Sequence, residues 1–164
     1  MLLLLIRHAH AGDRDPARWP DDRDRPLTDK GRKTHSRMSR LLGKLGLSPT
    51  HVLASPWARA AQTAQVLVET LELEHPPMPC EALATDPDLS RLADFMGDPG
   101  PDAIVAMVGH SPWMEELAAI LLGGKATSLR IDFPKSGVMG IDLEQVAAGA
   151  GELRWFLRPG IAEK

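Results

Sequence analysis

The stretch Met1-Leu2-Leu3-Leu4-Leu5-Ile6-Arg7-His8-Ala9-His10 decides the fold. Its apolar run is unbroken and stops at Arg7-His8. Such a run reads as a strand buried on both faces, as in a parallel sheet covered by helices. In open α/β sheets, ligands bind outside the carboxyl ends of the strands. Arg7 and His8 therefore fall on the edge where such a fold keeps its chemistry. A lone histidine there is more often structural than catalytic, and it is the rest of the chain that tips the balance.

Working outward, Ala103 to Val108 is a second strongly apolar strand, and it ends in Gly109-His110. His51 to Ala54 is a shorter strand, followed by Ser55-Pro56, read as the N-cap and first residue of a helix. That helix has Ala60, Ala64, Leu67, Val68 and Leu71 on its apolar face and Arg59 in its opening turns. Ser111-Pro112 is read in the same way, with Met114, Leu117, Ala118 and Leu121 inward and Gly123-Gly124 as terminator. Thr28 is the expected cap of a first helix carrying Met38, Leu41, Leu42 and Leu45, with Gly46 as its stop. Asp86-Pro87 repeats the cap–proline pattern before Leu89, Leu92, Ala93 and Met96, and Glu81 to Leu83 is read as a short edge segment. Val138 to Leu143 and Leu153 to Leu157, joined through Gly149-Ala150-Gly151, form an antiparallel hairpin. The expected order is β-loop-α-β-α-α-β-α-β-β. It predicts an α/β fold, a three-layer α/β/α arrangement with a mainly parallel central sheet and a C-terminal β-hairpin, in one domain over 1–164.

Composition narrows the function classes. The chain of 164 residues has a net charge of −3, so nothing overall points to nucleic-acid binding. Its one cysteine, Cys80, permits no internal disulfide, as in a reducing compartment. Leu2 to Ile6 lacks the basic start, length and cleavage site of a signal peptide, and no segment reaches membrane-spanning length. The expected location is cytoplasmic, with no membrane partner. One local exception is the outer face of the first helix, where Lys30, Arg32, Lys33, Arg37, Arg40 and Lys44 gather. A solvated face is its plainest explanation, and docking of an acidic partner the alternative. Asp13 to Arg25 is a loop dense in Asp and Arg, read as solvated and mobile until Arg25-Pro26-Leu27-Thr28.

Three strand ends thus bring Arg7-His8, Ser55 with Arg59, and Gly109-His110 to one edge. This set is a poor metal site, because arginine does not bind metals and repels cations. It is a good phosphate site. Guanidinium groups grip phosphate oxygens in pairs and stay charged at any working pH, and helix N-termini add N–H donors. Neutral imidazole beside a bound phosphate can also take the phosphoryl group, splitting one hard displacement into two easier ones.

Arg7-His8-Ala9 after an apolar strand resembles the Arg-His-Gly signature of the histidine phosphatase superfamily, with Ala9 where glycine is usual. Ser55-Pro56-x-x-Arg59-Ala60-x-Gln62-Thr63-Ala64 resembles the second motif of that family, and Gly109-His110-Ser111 its third. Arg25-Pro26-Leu27-Thr28-x-x-Gly31 is most similar to the small SixA-like branch, which acts on phosphohistidine in signalling proteins. The likeness runs from Met1 to about Leu122. It implies that His8 is the nucleophile that becomes phosphorylated, that Arg7 and Arg59 bind phosphoryl oxygens, and that His110 contacts the phosphate opposite His8. Arg25 would complete the pocket. It further implies no cofactor and no metal. The expected partner is a phosphohistidine protein or a small phosphate ester, with inorganic phosphate as product.

The general acid is the least defined part. Superfamily phosphatases acting on alcohol esters use a carboxylic acid to protonate the leaving oxygen. Glu81 is the candidate, since Asp86 and Asp88 are accounted for as an N-cap and a first-turn acid. A phosphoramidate needs less help, which favours protein phosphohistidine as substrate. The alternatives are a small-molecule phosphatase on a sugar phosphate or nucleotide, a mutase that lacks the usual enclosing insertions, and a phosphate-binding regulatory pseudoenzyme. His10 is placed at the pocket rim and Trp57 and Trp113 beside the motifs, while His35, His51 and His75 are expected at the surface and Ser111 as a cap. Lys135, ahead of Ser136-Gly137, is given no role.

Overall fold

The computed structural model describes residues 1–161. Strand β1 (Leu2–Arg7) lies in the middle of a six-stranded sheet ordered β3-β2-β4-β1-β5-β6. Its neighbours are β4 (Ile104–Gly109), parallel, and β5 (Val138–Leu143), antiparallel. Beyond β4 come β2 (His51–Ala54) and the two-residue β3 (Met78–Pro79), both parallel, and β6 (Gly151–Leu157) closes the other edge against β5. The expected mixed α/β architecture and C-terminal hairpin are therefore present. No helix of the described residues is long and apolar enough to cross a membrane.

The unbroken apolar run of β1 is explained by its two buried faces. Leu4 and Ile6 pack with Met38 and Leu42 of α1 (Asp29–Lys44) and with Ala60, Ala64 and Leu67 of α2 (Ala58–Leu71). Leu3 and Leu5 pack on the opposite face with Leu92 of α3 (Leu89–Met96) and with Met114, Leu117 and Leu121 of α4 (Trp113–Gly123). Alternation along the strand thus assigns successive side chains to different helical layers. It sends Arg7, the last residue of the strand, toward the α3/α4 side, and carried one residue further it sends His8 toward α2.

Several local expectations change. Helix α2 begins at Ala58 with Trp57 in the cap position, not at Pro56, because the Ser55 hydroxyl is taken up by His110 and the Trp57 N–H. Helix α4 begins at Trp113, after a cis Ser111–Pro112 bond, with Pro112 rather than Ser111 in the cap position. Ser111 instead donates from its hydroxyl to Glu115 at 2.6 Å. The cap of α3 is Asp88, which accepts from the Arg91 N–H, while Asp86 accepts from the indole N–H of Trp113 at 2.7 Å. Glu81–Leu83 is a 3-10 turn, and the edge strand precedes it at Met78–Pro79. His35 is wholly buried rather than on the surface, since it lies on the inward face of α1 with Gly31, Met38 and Leu42. His51 is half-buried and His75 exposed. The loop over 13–25 is not featureless, for it contains a 3-10 turn at Asp22–Asp24 capped by Asp21.

Candidate active site

The strand register builds the site. Arg7 is paired with Gly109 across β1 and β4, so the next residues, His8 and His110, emerge side by side. Their ring centroids are 5.2 Å apart. The His8 N–H donates to the Gly109 carbonyl at 2.9 Å, which holds the two strand ends in step. Ala54 is paired with Val108, so Ser55 arrives next to His110, and its Oγ lies 2.8 Å from His110 Nε2.

Helix α2 then supplies Arg59, which is buried, and its Nε–H donates to His8 Nε2 at 3.3 Å. Thr63, one turn on, accepts from the Ala9 N–H at 3.0 Å and donates to the Arg59 carbonyl at 2.6 Å. The second sequence motif is thus a clamp. Arg59 reaches the site, Thr63 ties the backbone beside the nucleophile candidate to α2, and Gln62 Oε1 accepts from the Leu27 N–H and from Arg32. Gly31 has a similar local reason, since a β-carbon there would collide with the His10 carbonyl. Thr28 caps α1 and binds the ring and carbonyl of His10, so the Arg-Pro-Leu-Thr-x-x-Gly motif pins the start of α1 to the segment after β1.

The hydrogen bonds fix the tautomer of His8. A carbonyl only accepts, so the contact of Nδ1 with the Ala9 carbonyl at 2.7 Å places the proton on Nδ1. Nε2 is left with a lone pair, as its acceptance from Arg59 requires. Burial, with the fields of His110, Arg59 and Arg7, pushes the His8 pKa down to about 3 against the opposing bond to Ala9. Burial and then Arg59 push His110 to about 3. Both rings are therefore neutral at physiological pH, and His8 presents an unprotonated nitrogen to a cationic pocket.

Buried polar atoms without partners among the described residues gather at this edge: Arg7 Nε, His110 Nδ1 and Ser136 Oγ. Buried polar groups are ordinarily hydrogen-bonded, and these three suit the oxygens of a bound phosphoryl group. Arg7 is oriented by donation from Nη1 to the Phe133 carbonyl at 2.6 Å. Ser136, in the left-handed region at φ 62°, donates its N–H to the Arg7 and His8 carbonyls. Lys135 lies at the rim, its pKa lowered by burial and then by Arg7 and Arg25. Trp57 lies 4.5 Å from His110 with the ring planes tilted by 49°, the Arg59 guanidinium is 4.7 Å from the Trp57 ring, and Trp113 lies edge-on to both rings.

His8, His110, Arg7 and Arg59 are thus brought together as expected. Arg25 reaches the same edge, but its fork is engaged by the chain itself. Nε and Nη2 donate to the two carboxylate oxygens of Asp22, and Nη1 to the Gly12 carbonyl. Glu81 is exposed, and its side chain takes part in no hydrogen bond or ion pair of the described residues. The carboxylate that does meet the site is Asp22, from the loop expected to be solvated and mobile. Its carboxyl is held below the ordinary range, chiefly by the hydrogen bond from Arg25. Its one sequence signal is the spacing of three residues from Arg25.

Comparison with known proteins accords with this geometry. The family model of the histidine phosphatase superfamily (branch 1) matches residues 3–84. An uncharacterised protein of Picosynechococcus sp. is 34% identical over 143 residues, covering 86% of this chain and 84% of its own length. The solved structure of the protein histidine phosphatase SixA complexed with tungstate superposes with a TM-score of 0.82 at 24% identity, covering 98% of this chain and 99% of its own. A phosphoserine phosphatase of Entamoeba histolytica, solved as a mutant with phosphoserine, gives 0.68 at 14% identity, covering 96% and 97%. A nucleophile candidate after the first strand and an arginine in the following motif both fall inside the matched region, and the chain belongs to the histidine phosphatase superfamily, branch 1, as a phosphatase.

Proposed function

We propose that the protein hydrolyses phosphohistidine on a protein substrate through a phosphorylated His8. The Nε2 lone pair of His8 attacks phosphorus, the P–N bond to the substrate imidazole breaks, and its electron pair stays on that nitrogen. The substrate ring leaves neutral when its other nitrogen already carries a proton. Arg7, Arg59 and His110 hold the phosphoryl oxygens as charge redistributes over them. Phosphorylated His8 is an imidazolium, and the Ala9 carbonyl accepting from Nδ1–H stabilises that charge. Water then attacks phosphorus, the P–Nε2 bond breaks, the proton of water passes to the departing phosphate, and His8 regains its lone pair.

The state of the carboxylates carries the choice of substrate. An alkoxide leaving group needs a proton, and a positioned acid supplies roughly 10²–10⁴ in rate. Asp22 is kept ionised by Arg25 and Arg59, and Glu81 stands exposed and unbonded. Neither is placed as that acid, and a protonated phosphoimidazole needs none. The test compares kcat/KM on free phosphohistidine, a phosphohistidine protein and an alkyl phosphate. Turnover should favour the phosphoramidates and vanish in His8→Ala, with acid-labile label on His8 after an alkaline quench. Preference for the alkyl phosphate would transfer the assignment to a small-molecule phosphatase.

A further inference from the structure

Helix α1 is charged out of proportion to its chain. It carries six Lys or Arg against the single carboxylate of Asp29, whereas outside it carboxylates outnumber these cations by 21 to 13. Lys33, Arg37, Arg40 and Lys44 are all exposed. Their spacing of four, three and four residues aligns them along one face, a row about 16 Å long at 1.5 Å per residue. Among the described residues no carboxylate lies within ion-pair distance of Lys33, Arg40 or Lys44.

Lys33, Arg37 and Arg40 of the row line one wall of a groove of about 450 Å³ between α1 and α2, faced by Val66, Glu69 and Thr70, and Lys44 extends the row beyond it. Its base is tied by a hydrogen bond from Thr70 to Ser36, and Glu69, the acidic group on that wall, already accepts from Gln65. Its Arg32 end lies toward the segment that carries Arg25. Arg32 of α1 and the Leu27 N–H, two residues from Arg25, share the same acceptor, Gln62 Oε1. Helix α1 starts at the sheet edge that bears His8 and His110 and runs away from it.

We propose that this groove docks an acidic protein surface, the one that presents the phosphorylated residue to His8. The inference rests on the phosphohistidine reading for the identity of that residue. Size decides against a small substrate, because a molecule held by Arg7 and Arg59 cannot also span a row of cations about 16 Å long on α1, while a folded partner can. The short, straight row fits an acidic helix or edge better than a long polyanion. Complementary charge of this kind raises encounter rates by 10–10³ and weakens as salt shortens the screening length.

The probe is an acidic four-helix phosphotransfer domain, phosphorylated on its histidine with phosphoramidate, compared with free phosphohistidine. For the domain, kcat/KM should fall at least tenfold in K33E/R40E/K44E and again between 20 and 300 mM salt in the wild type, changes expected of steered association. Free phosphohistidine should change less than about twofold in either case, as it meets only the pocket. K33Q/R40Q/K44Q, with smaller losses, guards against a folding defect. Binding of the unphosphorylated domain, followed by calorimetry, is measured in parallel. Loss of binding in the charge-reversed variant without any turnover of phosphohistidine would keep the docking face and reject the phosphohistidine reading. Equal turnover of the domain by variant and wild type would reject the docking face alone. Tighter binding of a duplex oligonucleotide than of the acidic domain through the same residues would also overturn it.

Discussion

Asp22 and Arg59 meet twice. The carboxylate of Asp22 lies 3.3 Å from Arg59 Nη2, and its backbone carbonyl accepts from Nη1 at 2.7 Å. The guanidinium that faces His8 is therefore shared with a carboxylate from the loop ahead of α1. A phosphoryl dianion must compete with that carboxylate for the same fork. Asp22→Asn should tighten inhibition by vanadate or phosphate about two- to fivefold, the scale of one partly exposed charge pair. Competitive inhibition constants check this, and weaker binding in the variant would mean that Asp22 chiefly orients Arg59.

Arg7→Ala and Arg59→Ala should each lower kcat on a phosphohistidine protein by roughly 10²–10³, the usual loss for a donor aimed at developing charge. Glu81→Gln should stay within about tenfold of wild type, below the share of a general acid. Steady-state rates on four proteins, with circular dichroism for folding, decide between them. A deep loss in Glu81→Gln would restore it as the acid and favour ester substrates.

His35 is wholly buried and its ring nitrogens have no partners among the described residues. Burial lowers its pKa from 6.5 to about 4. The folded state thus binds fewer protons than the unfolded one between these values. Its contribution to stability is complete above about pH 6.5 and is lost as pH falls toward 4. At pH 5 the loss from His35 alone is about 2 kcal/mol. His8 and His110, lowered to about 3, act in the same direction. Urea unfolding at pH 7.5 and pH 5 should show His35→Leu to be as stable as wild type or more so, and less sensitive to acid. An unchanged acid sensitivity would contradict the burial argument.

Thr63→Val keeps the shape of the side chain and removes the acceptor for the Ala9 N–H. An unsatisfied buried donor costs about 1–3 kcal/mol, so Tm should fall by roughly 2–10 °C in a chain of this size. The backbone beside His8 loses its tie to α2, so kcat should drop more than KM rises. Calorimetry and steady-state kinetics read the two effects separately.

His8, Arg59 and His110 were legible in the sequence because each stands at or just beyond the carboxyl end of an apolar strand, in a pattern that phosphate chemistry explains. The two-sided burial of β1 was legible for the same reason. Asp22 was not, because it is one of several carboxylates in a loop of alternating charge and its partner in α2 is 37 residues away. Ser136 was hidden likewise, since its part depends on a left-handed turn and on contact with the end of β1. His35 shares the inward spacing of Gly31, Met38 and Leu42, and that periodicity outweighs the usual preference of histidine for the surface. The caps at Ser55 and Ser111 failed because local preference for a helix start lost to tertiary bonds with His110 and Glu115.

The central position of β1 also bears on how the chain acquires its activity. Both sheet neighbours of β1 come from beyond residue 100, one at Ile104–Gly109 and the other at Val138–Leu143. While the chain emerges from the ribosome, the first hundred residues hold His8, Arg59 and both helices of one layer, yet lack any strand to lie beside the first. Pairing of such distant segments is slow, because the intervening chain must close before contacts repay it. The phosphoryl pocket therefore cannot form by halves. It is complete only when β4 lies between β1 and β2 and sets His110 beside His8, so the two histidines depend on one strand pairing that spans a hundred residues.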